Sequence, residues 1–287
     1  MKSIRFILIF IIFSFLFNPL IFSPLIAQTN IQSGLYIGAE LKGNFSPYLD
    51  GGGQLTLFYR FISDVFPGYT LESIRTDVGI SDYMTGENNK LTVFADSLII
   101  EYFNINAKLS FLNYYTFGKR GFVNFDSPNQ SFDTNEIENA NKTENISLEA
   151  EITPTFKIEL FKSMFEGRGL IIQAGLTFKY AYIKYGKYHL DYDLLLIRDR
   201  NDISYKLDSL LIANLYPMSV GLNYMLAYMN NTKQLWQSIG AYAHLEYELL
   251  NKIYMEANLR IGEYIEHPAF KKRLYADMNA MITLKII

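Results

Sequence analysis

From Leu274 to Ile287 the chain alternates apolar and mixed positions almost to its last residue. Leu274, Ala276, Met278, Ala280, Ile282, Leu284 and Ile286 share one side, and Tyr275, Asp277, Asn279, Met281, Thr283 and Lys285 the other. A period of two is the signature of a β-strand, because successive side chains point to opposite faces. The run is also long. Globular strands usually span about five or six residues, whereas a strand crossing a bilayer needs about 9–11 within the lipid.

The same alternation recurs. Leu35, Ile37, Ala39 and Leu41 oppose Tyr36, Gly38, Glu40 and Lys42; Leu55, Leu57, Tyr59 and Phe61 oppose Gln54, Thr56 and Arg60. Further runs cover 103–111, 146–161, 172–182, 218–228, 238–249 and 253–261. Many apolar faces carry Tyr or Phe towards their ends, as at Phe178, Tyr180 and Tyr182, where a lipid–water girdle would sit. Asp126–Asn145 reads as a long polar loop, and Asn88-Asn89, Gly51-Gly52-Gly53 and Met229–Gln234 as turns or loops. Lys162–Gly169 and Asn251-Lys252 read as short connections. Alternating the direction of successive strands demands one more strand after Tyr185, supplied by Tyr188–Ile197 with a turn at Arg198–Asp202. Weaker strands near Leu71–Ile80 and Gly121–Phe125 bring the total to about twelve, with ten and eight as alternatives. The expected fold is all-β: an antiparallel up-and-down transmembrane β-barrel over 28–287. Pro154 and Pro217 fit paired strands poorly and suit an edge or a bulge.

The N-terminus changes the picture of where such a fold would reside. Lys2 and Arg5 precede a largely apolar run, Phe6 to Phe17, interrupted afterwards by Asn18, Pro19 and Pro24 and followed by Ala27. That order predicts a secretory signal over 1–27, cleaved near Ala27. No later segment offers the roughly 18 uninterrupted apolar residues of a membrane helix. A membrane-embedded mature chain must then be a closed barrel, since only helices and closed barrels satisfy every backbone polar group in lipid. The 287 residues include no cysteine, which excludes disulfides and thiolate metal sites. The net charge of −3 becomes −5 once Lys2 and Arg5 are removed, and no basic run appears, so nucleic acid is not an expected partner.

The candidate chemistry lies on the polar faces. Glu40, Arg60, Glu149, Glu151, Lys157, Glu159, Lys179, His244, Glu246, Glu248, Glu256, Arg260 and Asp277 would form a lumen-facing polar network. Facing lipid at the midplane, an Arg or Lys would cost about 2–4 kcal/mol. The network would act either as a polar channel or as a hydrogen-bonded plug, since small barrels are filled by their own side chains. Its mixed signs predict no simple ion selectivity. His189 and His267 fall in or beside outer loops. His189 with Asp191 and Asp193 could imitate a general-base site, but no nucleophile motif accompanies them. No carboxylate or histidine spacing predicts a metal, Gly51-Gly52-Gly53 lacks the helix and lysine of a phosphate loop, and no cofactor is expected.

Together, the signal-like start, the repeated dyad strands and the strand ending at Ile287 resemble the bacterial outer-membrane β-barrel proteins over nearly the whole mature chain. The resemblance implies outer-membrane lipid and the barrel-insertion machinery as partners, with a small solute or an external ligand as candidate cargo. Such proteins commonly end on an aromatic residue; here Ile287 lies off the apolar register set by Ile282, Leu284 and Ile286. The function expected is non-enzymatic, a structural barrel or passive small-solute pore. The alternatives are a surface ligand-binding or adhesion barrel using the loops near Asp126–Asn145 and Tyr185–Asp202, and, third, an outer-membrane hydrolase.

Overall fold

A computed structural model describes residues 33–63, 74–100, 102–116, 121–160, 169–215, 217–250 and 252–287. The expected signal segment 1–27 and the turn residues 162–168 lie outside them.

The wall of the protein is a closed antiparallel barrel of twelve strands. In chain order they are β1 (Gly34–Ser46), β2 (Asp50–Ser63), β3 (Ile74–Thr85), β4 (Asn88–Ile100), β5 (Phe103–Tyr114), β8 (Asn145–Leu160), β9 (Gly169–Ile183), β12 (Asn201–Leu215), β13 (Met218–Met229), β14 (Leu235–Leu250), β15 (Ile253–Glu266) and β16 (Leu274–Lys285). Closure is made by β1, which pairs with β2 through Tyr36↔Phe58 and with β16 through Tyr36↔Lys285. The seam continues past β16. Leu35 donates its N–H to the Ile287 carbonyl at 2.9 Å and accepts from Ile286 at 2.8 Å, so the off-register terminal residue still takes part in closing the wall.

The alternation sorts side chains as a barrel in lipid requires. Leu41, Leu55, Leu109, Phe156, Leu222, Ile239 and Ile282 all stand exposed on the outside, an apolar surface far larger than a water-soluble monomer tolerates. Most charged wall positions face inward; Asp82 and Glu263, near the mouth opposite the termini, share the outward face with their partners Leu55 and Ile239. The ladder of β8 on β9 skips Pro154, which has no N–H to offer, without a change of register.

Four further strands build a second, smaller sheet, β11-β10-β6-β7. They are β6 (Phe122–Phe125), β7 (Lys142–Thr143), β10 (Tyr188–Asp191) and β11 (Leu196–Asp199). They come from the two long connections, β5–β8 and β9–β12, at the end of the barrel opposite the termini. The first connection also holds a short helix α1 (Thr134–Asn139), started by the Asp133 carboxylate accepting the Glu136 N–H. These segments bury an apolar core. Val123, Ile137, Leu190, Leu196 and Ile197 are fully or almost fully enclosed, together with Phe132, Phe270 and the wall residues Met225, Met229, Trp236 and Tyr264. Burying one such aliphatic side chain is worth about 1.5–3 kcal/mol, so the connections fold as a cap across this mouth.

Twelve strands were expected, but two of the expected ones are exchanged for others. Tyr188–Ile197 is no spanning strand: it is the β10–β11 hairpin of the cap. Gly121–Phe125 contributes β6, also in the cap. Their places in the wall are taken by β4 and β12. Asn88-Asn89 begins β4 instead of forming a turn, and Gly51-Gly52-Gly53 lies inside β2. Both unrecognised strands carry apolar residues on their inner faces, Phe94 and Leu98 on one, Leu210 and Ile212 on the other, which blurs their alternation. The inner apolar residues have a purpose: Leu210 and Ile212 pack with Ile171 and Tyr242 inside the lumen.

Candidate functional site

The cap and the lumen beneath it meet at a cluster of charges, enclosed apart from the exposed Asp193 carboxylate. Glu149 on β8 and Lys179 on β9 point inward from adjacent strands, 3.2 Å apart, and Lys90 reaches Glu149 from β4 at 2.8 Å, bypassing β5. The cap supplies the other half. Arg198 on β11 lies 2.7 Å from Asp191 on β10 and 3.5 Å from Glu149, while Lys179 lies 3.4 Å from Asp191 and 3.1 Å from Asp193. Arg198 and Asp191 are buried, with side-chain exposures of 1% and 3%. Three cations thus interleave with three carboxylates where wall and cap touch. A charge so enclosed is tolerable only when paired, because its desolvation costs several kcal/mol. The cluster therefore ties the hairpin to the wall.

Asp191 does this twice over. One carboxylate oxygen accepts the Leu194 N–H at 3.0 Å and shapes the hairpin turn, in which Leu195 adopts φ of 52°; the other faces Arg198. The hairpin's outer edge is closed by side chains from the β13–β14 loop. Gln234 accepts the Ile197 N–H at 2.6 Å and donates to the Pro128 carbonyl at 2.7 Å, and Thr232 donates to the Ile197 carbonyl at 2.8 Å. Gln234 so joins the two cap segments through one amide.

Both loop histidines are structural parts of this cap. His189 stacks on Phe122 with ring centroids 5.2 Å apart and is 2% exposed. Burial, and Arg198 next to it, pushes its imidazole down to about 3. Among the described residues no hydrogen bond joins it to Asp191 or Asp193, whose carboxylates face Lys179 and Arg198 instead. His267 accepts the N–H groups of Ala269 and Phe270 at Nδ1, both at 3.0 Å, and burial lowers it to about 4. A base poised for catalysis near neutrality would need the opposite: solvent access and a value near the working pH.

Below the cap the lumen is lined with further polar side chains. Arg60 grips Asp77 through Nε and Nη2, both at 2.7 Å, with its guanidinium over the rings of Tyr36 and Phe58. Arg260 on β15 reaches Asp208 on β12 at 2.7 Å; two strands separate them in the wall, so this pair crosses the lumen. Glu40 pairs with Lys42 and accepts from Asn279, and Glu151 pairs with Lys108. His244 shares Asn258 with Tyr242, and its ring lies 3.8 Å from Glu246. Glu246 sits opposite Glu256 in the β14–β15 register. Asp277 faces Arg260 across the β15–β16 register. Glu248, Lys157 and Glu159 lie nearer the terminal end; Lys157 and Glu248 make no ion pair among the described residues. Of the thirteen sequence candidates only Glu149 and Lys179 enter the cap cluster. Lys90, Asp208 and Arg198 were not among them. A signal for the last existed: Leu194-Leu195-Leu196-Ile197 is a fully apolar run flanked by Asp191, Asp193, Arg198 and Asp199, which marks a buried hairpin held by charges.

A closed wall of even strand number, apolar outside and charged within, defines the bacterial outer-membrane class of β-barrel. No family model and no curated protein matches the chain. Among solved structures it is similar in fold to NanC porin, at 6% identity and a TM-score of 0.41 over 87% of this chain and 100% of that one. It is also similar to the translocator domain of the autotransporter NalP from Neisseria meningitidis (8%, 0.38, 90% of each chain). LpxR from Salmonella typhimurium is a third (8%, 0.37, 88% of this chain and 100% of that one). Likeness at this level extends to no activity.

Proposed function

We propose that this protein is a non-enzymatic barrel of the outer membrane, inserted with its termini in the periplasm after removal of a leader over 1–27, and held shut at the outer mouth by its own cap. The observation that carries this reading is the enclosed apolar core of the cap, latched to the wall by the Glu149–Lys179–Asp191–Arg198 cluster. A standing passive pore needs a wet path through that mouth; here Leu190, Leu196 and Ile197 occupy it. The charged lumen serves small solutes only when the cap is displaced, and otherwise the barrel is structural. Planar-bilayer recordings test this. The intact protein is expected to be electrically silent, and replacement of residues 187–200, which carry that plug and its latch, by a short turn to open steps of conductance. Steady conductance of the intact protein at neutral pH would sink the closed reading. Fractionation to the outer membrane with heat-modifiable migration on a gel, and N-terminal sequencing of the mature chain, test the location and the leader. The folded cap also offers a preformed outer surface to an external ligand; loop deletion that leaves ligand or cell binding intact would remove that second reading.

A further inference from the structure

Asp193 lies in the β10–β11 turn of the cap, yet its side chain takes no part in folding that turn. Asp191 does, by accepting the Leu194 N–H at 3.0 Å. The Asp193 carboxylate has two ion-pair partners among the described residues, both lysines of the wall. Lys179 donates to Oδ2 at 3.1 Å, and Lys90 lies 3.9 Å from the same oxygen. Both lysines point into the barrel, for their strand neighbours Leu91, Phe178 and Tyr180 stand outside. The Lys179 side chain is 7% exposed and that of Asp193 64%. A water-accessible carboxylate therefore lies over an enclosed ammonium.

The charge of the cluster explains why an anion is held there. Without Asp193, Lys90, Lys179 and Arg198 meet only Glu149 and Asp191, three cations against two carboxylates. Enclosed charge left unbalanced is costly, and the surplus opens towards the lumen, where the two lysines converge on Asp193. Lys179, and with it Lys90, holds the Asp193 carboxyl below its ordinary range. An ion pair with one partner so exposed adds little to stability. The fold thus keeps a carboxylate at the lysines without needing that particular carboxylate to hold the cap.

We propose that Lys90 and Lys179 form a binding site in the lumen for the carboxylate of a small solute, and that Asp193 is its tethered occupant, displaced when the solute binds. The class follows from the occupant: one carboxylate oxygen received by two ammonium groups, the other left to water. Displacement turns the exposed Asp193 side chain aside and leaves the enclosed pairs Arg198–Asp191 and Lys90–Glu149 in place, so the solute docks beneath a closed cap. Being tethered, Asp193 competes at high effective concentration, and the site fills only when the solute is abundant. This deepens the closed-barrel reading and rests on it, since Asp193 reaches the wall only while the cap is seated.

Carboxyl-labelled acetate, titrated against the full chain in neutral detergent and read by broadening of its carbon NMR line, provides the test. The intact protein should bind weakly and saturably. D193A should bind about fivefold more tightly, the worth of the exposed ion pair it removes. K90Q added to D193A should weaken binding about tenfold, the loss of one charged hydrogen bond, with heat-modifiable migration on a gel showing the wall intact. Equal affinity in the intact protein and D193A overturns the tethered occupant, and no saturable broadening in either overturns the site. So does broadening that chloride abolishes at equal concentration, which would mark attraction to bare charge without preference for a carboxylate. Planar-bilayer recordings on the intact protein read the cap separately: steady conductance fails the closed reading, and silence without acetate binding fails only this site.

Discussion

Replacing Arg198 with methionine asks whether the ion cluster keeps the cap closed. In the closed state the guanidinium is 1% exposed and lies 2.7 Å from the Asp191 carboxylate. Methionine fills much of the same volume but leaves Asp191 enclosed with only Lys179, 3.4 Å away. Removing one partner of a buried pair costs about 3–5 kcal/mol. The remaining lysine keeps the cost near the lower figure, about 3 kcal/mol, a shift of about 150-fold in the closed-to-open equilibrium. Amide hydrogen exchange over 188–199 should lose protection by that factor, while the wall strands keep theirs, because the cap can open without breaking a barrel ladder. Adding Asp191→Asn should restore most of the protection, since the unpaired charge is then gone while the side-chain oxygen still accepts the Leu194 N–H. Protection within twofold of the parent in Arg198→Met, or a loss spread evenly over the barrel, would refute the latch.

Three other expectations follow from the same geometry. Leu190→Ala removes a fully buried side chain from the cap core and should loosen the cap by about 2–5 kcal/mol; Trp236, the sole tryptophan and a member of the same cluster, should red-shift and become open to aqueous quenchers, and an unchanged spectrum would contradict the shared core. Acid should also open the cap. His267 titrates at about 4 when enclosed against 6.5 when free, so its contribution to closure is complete above pH 6.5 and declines as pH falls towards 4, a loss of about 2.5 kcal/mol at pH 4.5; His189, at about 3, acts in the same direction, and bilayer conductance that stays absent at pH 4.5 as at 7.5 would count against it. On the wall, Leu222→Arg places a cation on the lipid face and should cost about 2–4 kcal/mol in guanidinium unfolding from liposomes, whereas Gln173→Arg, facing the lumen, should cost much less; equal effects would mean that the faces are misassigned.

How much of this was legible beforehand depended on how far apart the interacting residues lie in the chain. Ile146–Leu160 and Leu274–Ile287 announce themselves because each strand carries its inside and outside in its own period of two. β12 hides because Leu210 and Ile212 face inward to meet Ile171 and Tyr242, so its alternation is broken by a contact that no local window contains. Tyr188–Ile197 misleads for the converse reason: it has the composition of a spanning strand, but its apolar residues are buried by Phe132, Phe270 and the barrel's mouth. The polar positions of the lumen were readable one strand at a time; which of them meet was not. Lys90 finds Glu149 from 59 positions away, and Arg260 finds Asp208 from 52.

The sequence by itself determined that the chain forms long strands with one apolar and one polar face, about twelve of them, and therefore a barrel with its charges inside. That follows because strand and side-chain direction are set by neighbours in the chain. Only the tertiary structure decided which segments close the wall, that the two long connections fold into its mouth, and that Arg198 and Asp191 complete a charge cluster begun by Glu149 and Lys179. Those outcomes depend on which strand ends the closed ladder brings together, and a buried charge gains its partner only after that closure.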